Sequence, residues 1–341
     1  MLKKINNYRR KITKGLTKNI GKTNYKSFET IDPQKIRKII VIRPNHRLGN
    51  QLLITPLVQE LESLFPNSKV DLFLKGGLGP ILFENYTNVD DVITLPKKHF
   101  KEFFKYVKGW MKLITNSYDI AINVTPGSSS GKLATKFSNA KYRIFSENNE
   151  SLQAQFLGYK HIAKKPIYDI RSILNKISFE NIPLLDLKLN DTEKNKGKQL
   201  LKDLIQNDHK TIAVFTYATG QKCYCIEWWE TFYQELKQAF PDYNIIEVLP
   251  VENISQLNFT IPSFYSKDVR EIASFISNCD VFIGADSGIM HLASASLSPT
   301  IGLFQFNNMA VYEPYGNHNI GFNTTQTPND EIIKYINTIL N

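Results

Sequence analysis

The residues best suited to chemistry lie in DVFIGADSGIMHLASA, residues 280 to 295. The apolar run reads as a strand ending at Gly284, a turn at Asp286-Ser287-Gly288, and a helix that carries His291 in its first turns. A helix start offers free N–H groups and the positive end of its dipole. With Gly288 admitting close approach and Ser287 supplying a hydroxyl, such a turn suits the phosphates of a nucleotide diphosphate. Asp286 would repel a phosphate, so in a ligand site it accepts hydrogen bonds from sugar or ribose hydroxyls. A plainer reading makes Asp286 or Ser287 a helix N-cap and His291 a satisfied surface histidine.

TYATGQKCYCIEWW, residues 216 to 229, is the counterpart after another predicted strand. Thr216, Thr219 and Gly220 form a small polar loop, and Lys222 follows where a cation can reach a diphosphate over the Asp286 turn. A solvated lysine is the alternative. Trp228 and Trp229 read as core and domain-packing residues rather than sugar platforms. The third stretch, RPNHRLGNQLLITP (43 to 56), is either a ligand loop or a well-made turn. Its tip carries Asn45, His46, Arg47, Gly49 and Asn50. Arg43 and Arg47 suit phosphate or carboxylate groups, with surface salt bridging as the alternative.

The elements that must position these turns follow from periodicity. Strands are expected at 38–44, 69–75, 91–96 and 118–126. A helix with Leu53, Leu57, Leu61 and Leu64 on one face is expected over 50–66, and an aromatic-rich helical stretch runs from His99 to Thr115. The character changes near Lys188, and a charged helix over 191–206 leads into a second alternation. That alternation has strands at 211–220, 244–250, 280–284 and 299–304, and helices at 227–240, 268–279 and 329–340. Strands alternating with helices at this pace predict an α/β protein of two Rossmann-like domains, with open parallel sheets and a cleft, and ligands beyond the carboxyl ends of the strands. The boundaries expected are a tail over 1–35, an N-terminal domain over 36–188 and a C-terminal domain over 189–341.

Composition limits the function classes. The formal net charge of the 341-residue chain is +10, and residues 1–30 alone, with nine Lys/Arg against Glu29, hold +8 of it. In that tail Ile5, Tyr8, Ile12, Leu16 and Ile20 recur at helical spacing among lysines, the pattern of an interfacial membrane helix; a solvated basic extension or a docked helix are the alternatives. Nucleic acid is disfavoured, because the basic residues do not continue into a known binding module. With no run of 18 apolar residues and no signal-peptide core in the tail, a cytoplasmic protein is expected. Cys223, Cys225 and Cys279 make neither a disulfide framework nor a zinc set, so no metal and no cofactor are expected.

RLGNQLLITP, ATGQK followed by the tryptophan pair, and above all FIGADSGIMHLASASLSPTIGLF with the later EPYG resemble bacterial glycosyltransferase family 9, the ADP-heptose:lipopolysaccharide heptosyltransferases. The likeness runs in order from Lys38 to about Gly316. It implies a GT-B fold of two facing Rossmann-like domains and an inverting, metal-independent transfer from a nucleotide-sugar donor held mainly by the second domain. Carried over, Thr219 and Lys222 meet the donor phosphates, and Asp286, Ser287, Gly288 and His291 surround the diphosphate and sugar. Glu252 and residues 264–267 lie toward the adenosine. The acceptor, an anionic lipopolysaccharide-core-like glycolipid, falls to Arg43, Arg47, Gly49 and Asn50. The absence of a D-x-D motif agrees with metal-free chemistry, in which Lys222 and helix N-terminal amides stabilise the departing diphosphate.

Two departures stand out. FQFNNMAVYEPYG (304 to 316) replaces the family's usual glycine-proline-threonine-aspartate run, which leaves the donor sugar and base open. Asn50 stands where the family has an aspartate to take the acceptor's proton, and an amide has no useful basicity. His46, four residues earlier, is the titratable replacement. A carboxylate from elsewhere in the first domain is the other source of a base. The rival readings are transfer of another nucleotide sugar to another surface glycan and a catalytically silent sugar-nucleotide-binding protein. A dinucleotide-dependent oxidoreductase is disfavoured, since the first turn offers Gly49 where G-x-G-x-x-G is required.

Overall fold

The computed structural model describes residues 15, 17–29, 31–98, 100–175, 181–306 and 308–341. Ile5, Tyr8, Ile12 and Leu16, which define the tail's apolar stripe, lie outside the described residues. The chain forms two compact units. The first gathers Met1–His46, Pro56–Tyr159 and Ala163–Pro183; the second gathers Arg47–Thr55, Lys160–Ile162 and Leu184–Asn341.

The first unit is built on a five-stranded parallel sheet of β1 (Lys38–Ile42), β2 (Lys69–Lys75), β3 (Val89–Leu95), β4 (Tyr118–Asn123) and β5 (Ala140–Ile144), in the order β3-β2-β1-β4-β5. KIIVI is β-branched and buried from Ile39 to Ile42, as a central strand covered on both faces requires. Val41 registers with Leu72 on one side and Ile122 on the other.

The helix expected over 50–66 is two helices, α1 (Leu48–Leu52) and α2 (Thr55–Leu64). Pro56 is the reason. In a continuous helix its ring would strike the Leu52 carbonyl and its missing N–H would leave that carbonyl without a partner. Instead the Thr55 hydroxyl donates to Leu52 O at 2.8 Å. Leu53, Leu57, Leu61 and Leu64 are all buried, as their spacing predicts.

The second unit carries a six-stranded parallel sheet: β6 (Thr211–Phe215), β7 (Asn244–Val248), β8 (Ser263–Phe264), β9 (Val281–Ala285), β10 (Thr300–Phe304) and β11 (Ile320–Asn323). Their order is β11-β10-β9-β6-β7-β8. The long helix at Asp191–Ile205 opens on a capping box, the Asn190 side chain accepting from Glu193 N while Glu193 accepts from Asn190 N. Its core joins Ile212, Val214, Ile283 and Leu303 of the sheet to Trp229, Phe232 and Leu236 of the helix Ile226–Ala239 and to Ile332 and Ile336 of the closing helix Asn329–Leu340. Trp229 is fully buried, with Trp228 packed half-buried beside it, the core role expected of the pair. No described helix is long and apolar enough to cross a membrane.

Candidate active site

In the second sheet the chain runs outward from β6 through β7 to β8, and from β9 through β10 to β11. The order therefore reverses between the neighbours β6 and β9. In open parallel sheets this reversal opens a crevice at the carboxyl ends, because the two following loops leave in opposite directions. The loop after β6 carries Lys222; the turn after β9 carries Asp286.

Those two side chains are ion-paired, with Asp286 buried and Lys222 partly exposed. Asn308, in the loop after β10, donates from Nδ2 to the same Asp286 oxygen at 2.7 Å. The Lys222 ammonium also stands 5.6 Å from the centroid of the Tyr312 ring, close enough for a cation–π attraction. Three strand ends thus converge on one carboxylate, which holds the lysine at the crevice mouth. Lys222 is not the freely solvated lysine of the plainer reading.

The turn continues into the helix Gly288–Ala295, whose N-cap is Ser287: its hydroxyl oxygen accepts from Met290 N at 3.2 Å. The capping reading holds for Ser287, while Asp286 spends its carboxylate on Lys222 and Asn308. His291 is buried, so the surface placement is corrected, and its ring lies 6.3 Å from that of Tyr312.

Helix α1 packs against this helix, and both belong to the second unit. The approach is nearly backbone to backbone. A Cβ on Gly49 would stand 2.5 Å from His291 Cδ2, and a Cβ on Gly288 would stand 3.2 Å from Leu48 Cβ and 3.3 Å from Gly49 N. Glycine at both positions is therefore what lets the Arg47–Thr55 segment lie on the Asp286 turn. Asn50 is half-buried and Arg47 exposed in the same segment. His46, the last residue of the first unit's opening segment, is exposed; a Cβ on Gly76 would stand 3.2 Å from its Cβ.

Arg43 requires a correction. It was expected at the surface, as an anion ligand or a salt-bridge partner, yet it is 2% exposed. Its backbone N–H donates to Phe73 O at 3.0 Å, which continues the β1–β2 ladder and draws the side chain inward with the strand.

Behind the crevice, Glu247 on β7 is fully buried. It accepts hydrogen bonds from the hydroxyls of Thr216 and Ser255, and Gln256 N donates to the Thr216 oxygen at 3.1 Å. Burial pushes the Glu247 carboxyl above its ordinary value, against the lowering effect of these bonds. Thr216 is accordingly a tether between the loop after β6 and the loop after β7, not part of an open polar loop. Thr219 and Glu252 are exposed in those two loops, and Gly220 takes a left-handed φ of 68°. Residues 264–267 begin in β8, where Phe264 stacks on Phe275 at 3.9 Å.

Asn308, Tyr312 and Glu247 escaped the sequence reading. The first two lie in the 304–316 stretch that departs from the family pattern, which was the available signal; Glu247 sits in the apolar run NIIEVLP and gave none. Among the described residues, no group of three or more His, Cys, Asp or Glu is placed to hold a metal ion.

Comparison with known proteins shows what the chain is similar to. Residues 267–337 match the family model described as glycosyltransferase family 9 (heptosyltransferase). Over 306 residues the chain is 23% identical to lipopolysaccharide heptosyltransferase 3 of Escherichia coli K12, covering 80% of this chain and 84% of that one. The fold is that of a family 9 glycosyltransferase from Veillonella parvula, with a TM-score of 0.70 at 16% identity over 91% of this chain and 98% of that one. The E. coli heptosyltransferase WaaC, solved with ADP, superposes with a TM-score of 0.61 at 14% identity, over 89% and 99%. The two parallel sheets are thus those of a GT-B-like fold, and the chain is similar to glycosyltransferase family 9 (heptosyltransferase) proteins, among them lipopolysaccharide heptosyltransferase 3.

Proposed function

We propose that the second unit binds a nucleoside-diphosphate sugar at the Asp286 turn, and that the enzyme transfers a heptose or related sugar from it, with inversion and without a metal, to an anionic lipopolysaccharide-core-like acceptor. The observation that carries this reading is the convergence of Lys222, Asp286 and Asn308 at the sheet's reversal point, beside the N-terminus of the Gly288–Ala295 helix. An adenosine diphosphate donor is favoured by WaaC, whose structures hold ADP and ADP-2-deoxy-2-fluoro heptose.

In the reaction the acceptor hydroxyl attacks the anomeric carbon, the bond from that carbon to the diphosphate oxygen breaks, and the electron pair leaves with the diphosphate. Lys222 and the amides at the start of the Gly288–Ala295 helix oppose the developing negative charge, and they are in place before the reaction, so little reorganisation is needed. Asp286 fixes the ammonium and meets sugar hydroxyls; Ser287, Gly288 and His291 form the remainder of the turn, and Thr219 and Glu252 border it toward phosphate and base. On the acceptor side Arg47, Gly49 and Asn50 orient the glycolipid, Asn50 by hydrogen bonds alone. His46, next to Arg47 in sequence, takes the proton. The basic residues 1–30 supply attraction to the inner face of the membrane, where such an acceptor resides.

A panel of nucleotide sugars tests the donor. Preferential binding of an adenosine diphosphate sugar is expected, and a strong preference for another base would replace the heptose donor by a different one. Donor binding without turnover on any acceptor would favour the silent-binder reading that Asn50 prompts.

A further inference from the structure

Between β3 and β4 the chain crosses over in a 13-residue helix, α3 (Phe103–Thr115). One stripe of it faces the core: Gly109 and Leu113 are buried, Tyr106 and Trp110 are half-buried, and the Trp110 ring meets Phe73 edge-on at 5.5 Å. A second stripe is exposed. Phe103, Phe104, Val107, Met111 and Ile114 are all exposed, Phe104 at 87% and Phe103 at 58%, and Phe100 just before the helix at 78%.

At about 100° per residue these five helix positions fall within an arc of roughly 100°, beside the core-facing stripe. Lys105, Lys108 and Lys112 line the far edge of that arc and are themselves exposed. Lys105 reaches Glu102 at 3.2 Å and Lys112 reaches Asp91 at 2.5 Å, both across partly exposed surface where screening leaves such pairs weak. From 97 to 115 the sequence holds six lysines against the single carboxylate of Glu102. A contiguous apolar stripe with two aromatic rings is costly to leave in water and marks a docking surface.

Charge selects the occupant. The chain's own tail carries +8 and a second copy would bring the same lysine row, so both repel a segment of +5. An anionic lipid surface attracts it, and it offers an apolar layer for the rings directly beneath a layer of phosphates for the ammonium groups. We propose that α3 is a membrane-docking face, its Phe103–Ile114 stripe seated in the interfacial layer of an anionic bilayer and its lysines on the headgroups. This is an element separate from the basic tail, and it stands whether or not the donor assignment holds.

The test uses the full chain and extruded vesicles. Wild-type protein is expected to sediment with mixed phosphatidylcholine–phosphatidylglycerol vesicles and to do so poorly with phosphatidylcholine alone. Replacing two exposed side chains in Phe104→Ser/Met111→Ser should lower the partition coefficient by at least roughly tenfold, with melting temperature and nucleotide binding unchanged. A Phe104→Trp variant gives a readout that the tail cannot: blue-shifted emission on adding anionic vesicles, quenched by brominated acyl chains. Three results would overturn the proposal: emission indifferent to vesicles, wild-type partitioning by the double variant, or emission already blue-shifted in their absence, which would show the stripe covered by the tail or by a second copy.

Discussion

Both sheets reverse their strand order, one between β1 and β4 and the other between β6 and β9, and the loops at the two reversals differ in charge. At β6/β9 a buried carboxylate gathers a cation and an amide from two neighbouring loops. At β1/β4 the turns RPNHR and VTPGS contain no carboxylate. There Ser128 caps the helix Ser129–Phe137 by accepting from Gly131 N at 3.1 Å, and Asn123 accepts from Thr125 N at 3.1 Å, so the turn is closed by neutral groups. Arg43 is buried and His46 exposed. The same topology thus carries two different loop sets: a paired carboxylate and lysine at β6/β9, and turns without a carboxylate at β1/β4, where His46 is exposed.

The sharpest way to break that contrast is His46→Ala. Turnover should fall by roughly a hundredfold or more, as loss of a general base does, while donor affinity is kept. Near-normal rate would move the base to another residue and leave the first reversal point without a chemical role.

Next in size is Asp286→Ala, which should weaken donor binding or turnover tenfold or more, roughly 1.4 kcal/mol, because Lys222 and Asn308 lose their common anchor. Tighter diphosphate binding in this variant would show instead that the carboxylate merely neutralises the lysine.

Gly49→Ala probes the close approach of α1 to the helix Gly288–Ala295. The added methyl meets the buried His291 ring, and overpacking of this kind costs about 1–3 kcal/mol, measurable in denaturant melts. An unchanged midpoint would mean that the ring yields freely.

The smallest effect concerns pH. Burial raises the Glu247 carboxyl, so its contribution to stability is fully present below its unfolded value and is lost as pH rises through the folded one. In Glu247→Gln that loss disappears, and the melting temperature of the variant relative to wild type should climb from acid to neutral pH. A difference independent of pH would show that the carboxyl is not held raised.

Much of this was legible in the sequence, for physical reasons that also mark where legibility stops. Buried apolar runs such as KIIVI and VFIGA mark strands, and the DSG turn announced a capped helix with its cap at Asp286 or Ser287, of which the structure uses Ser287. The helix break needed attention to Pro56, whose effect on the Leu52 carbonyl overrides a leucine stripe that reads straight through it. β5, with Lys141 and Arg143 in AKYRI, and the two-residue β8 are too polar or too short to declare themselves. Long-range pairings were hidden altogether: Asn308 reaches Asp286 across 22 positions and Thr216 reaches Glu247 across 31. Arg43 looked like a surface ligand because the sequence does not show that the strand end folds its guanidinium inward.

The claim on which the rest depends is that the Lys222–Asp286–Asn308 cluster is a diphosphate site. Calorimetric titration of ADP into wild-type protein and into Lys222→Ala tests it directly. Binding by the wild type, with at least roughly tenfold loss in the variant and much less loss for AMP, is the predicted result. Equal ADP affinity in the two proteins would contradict it.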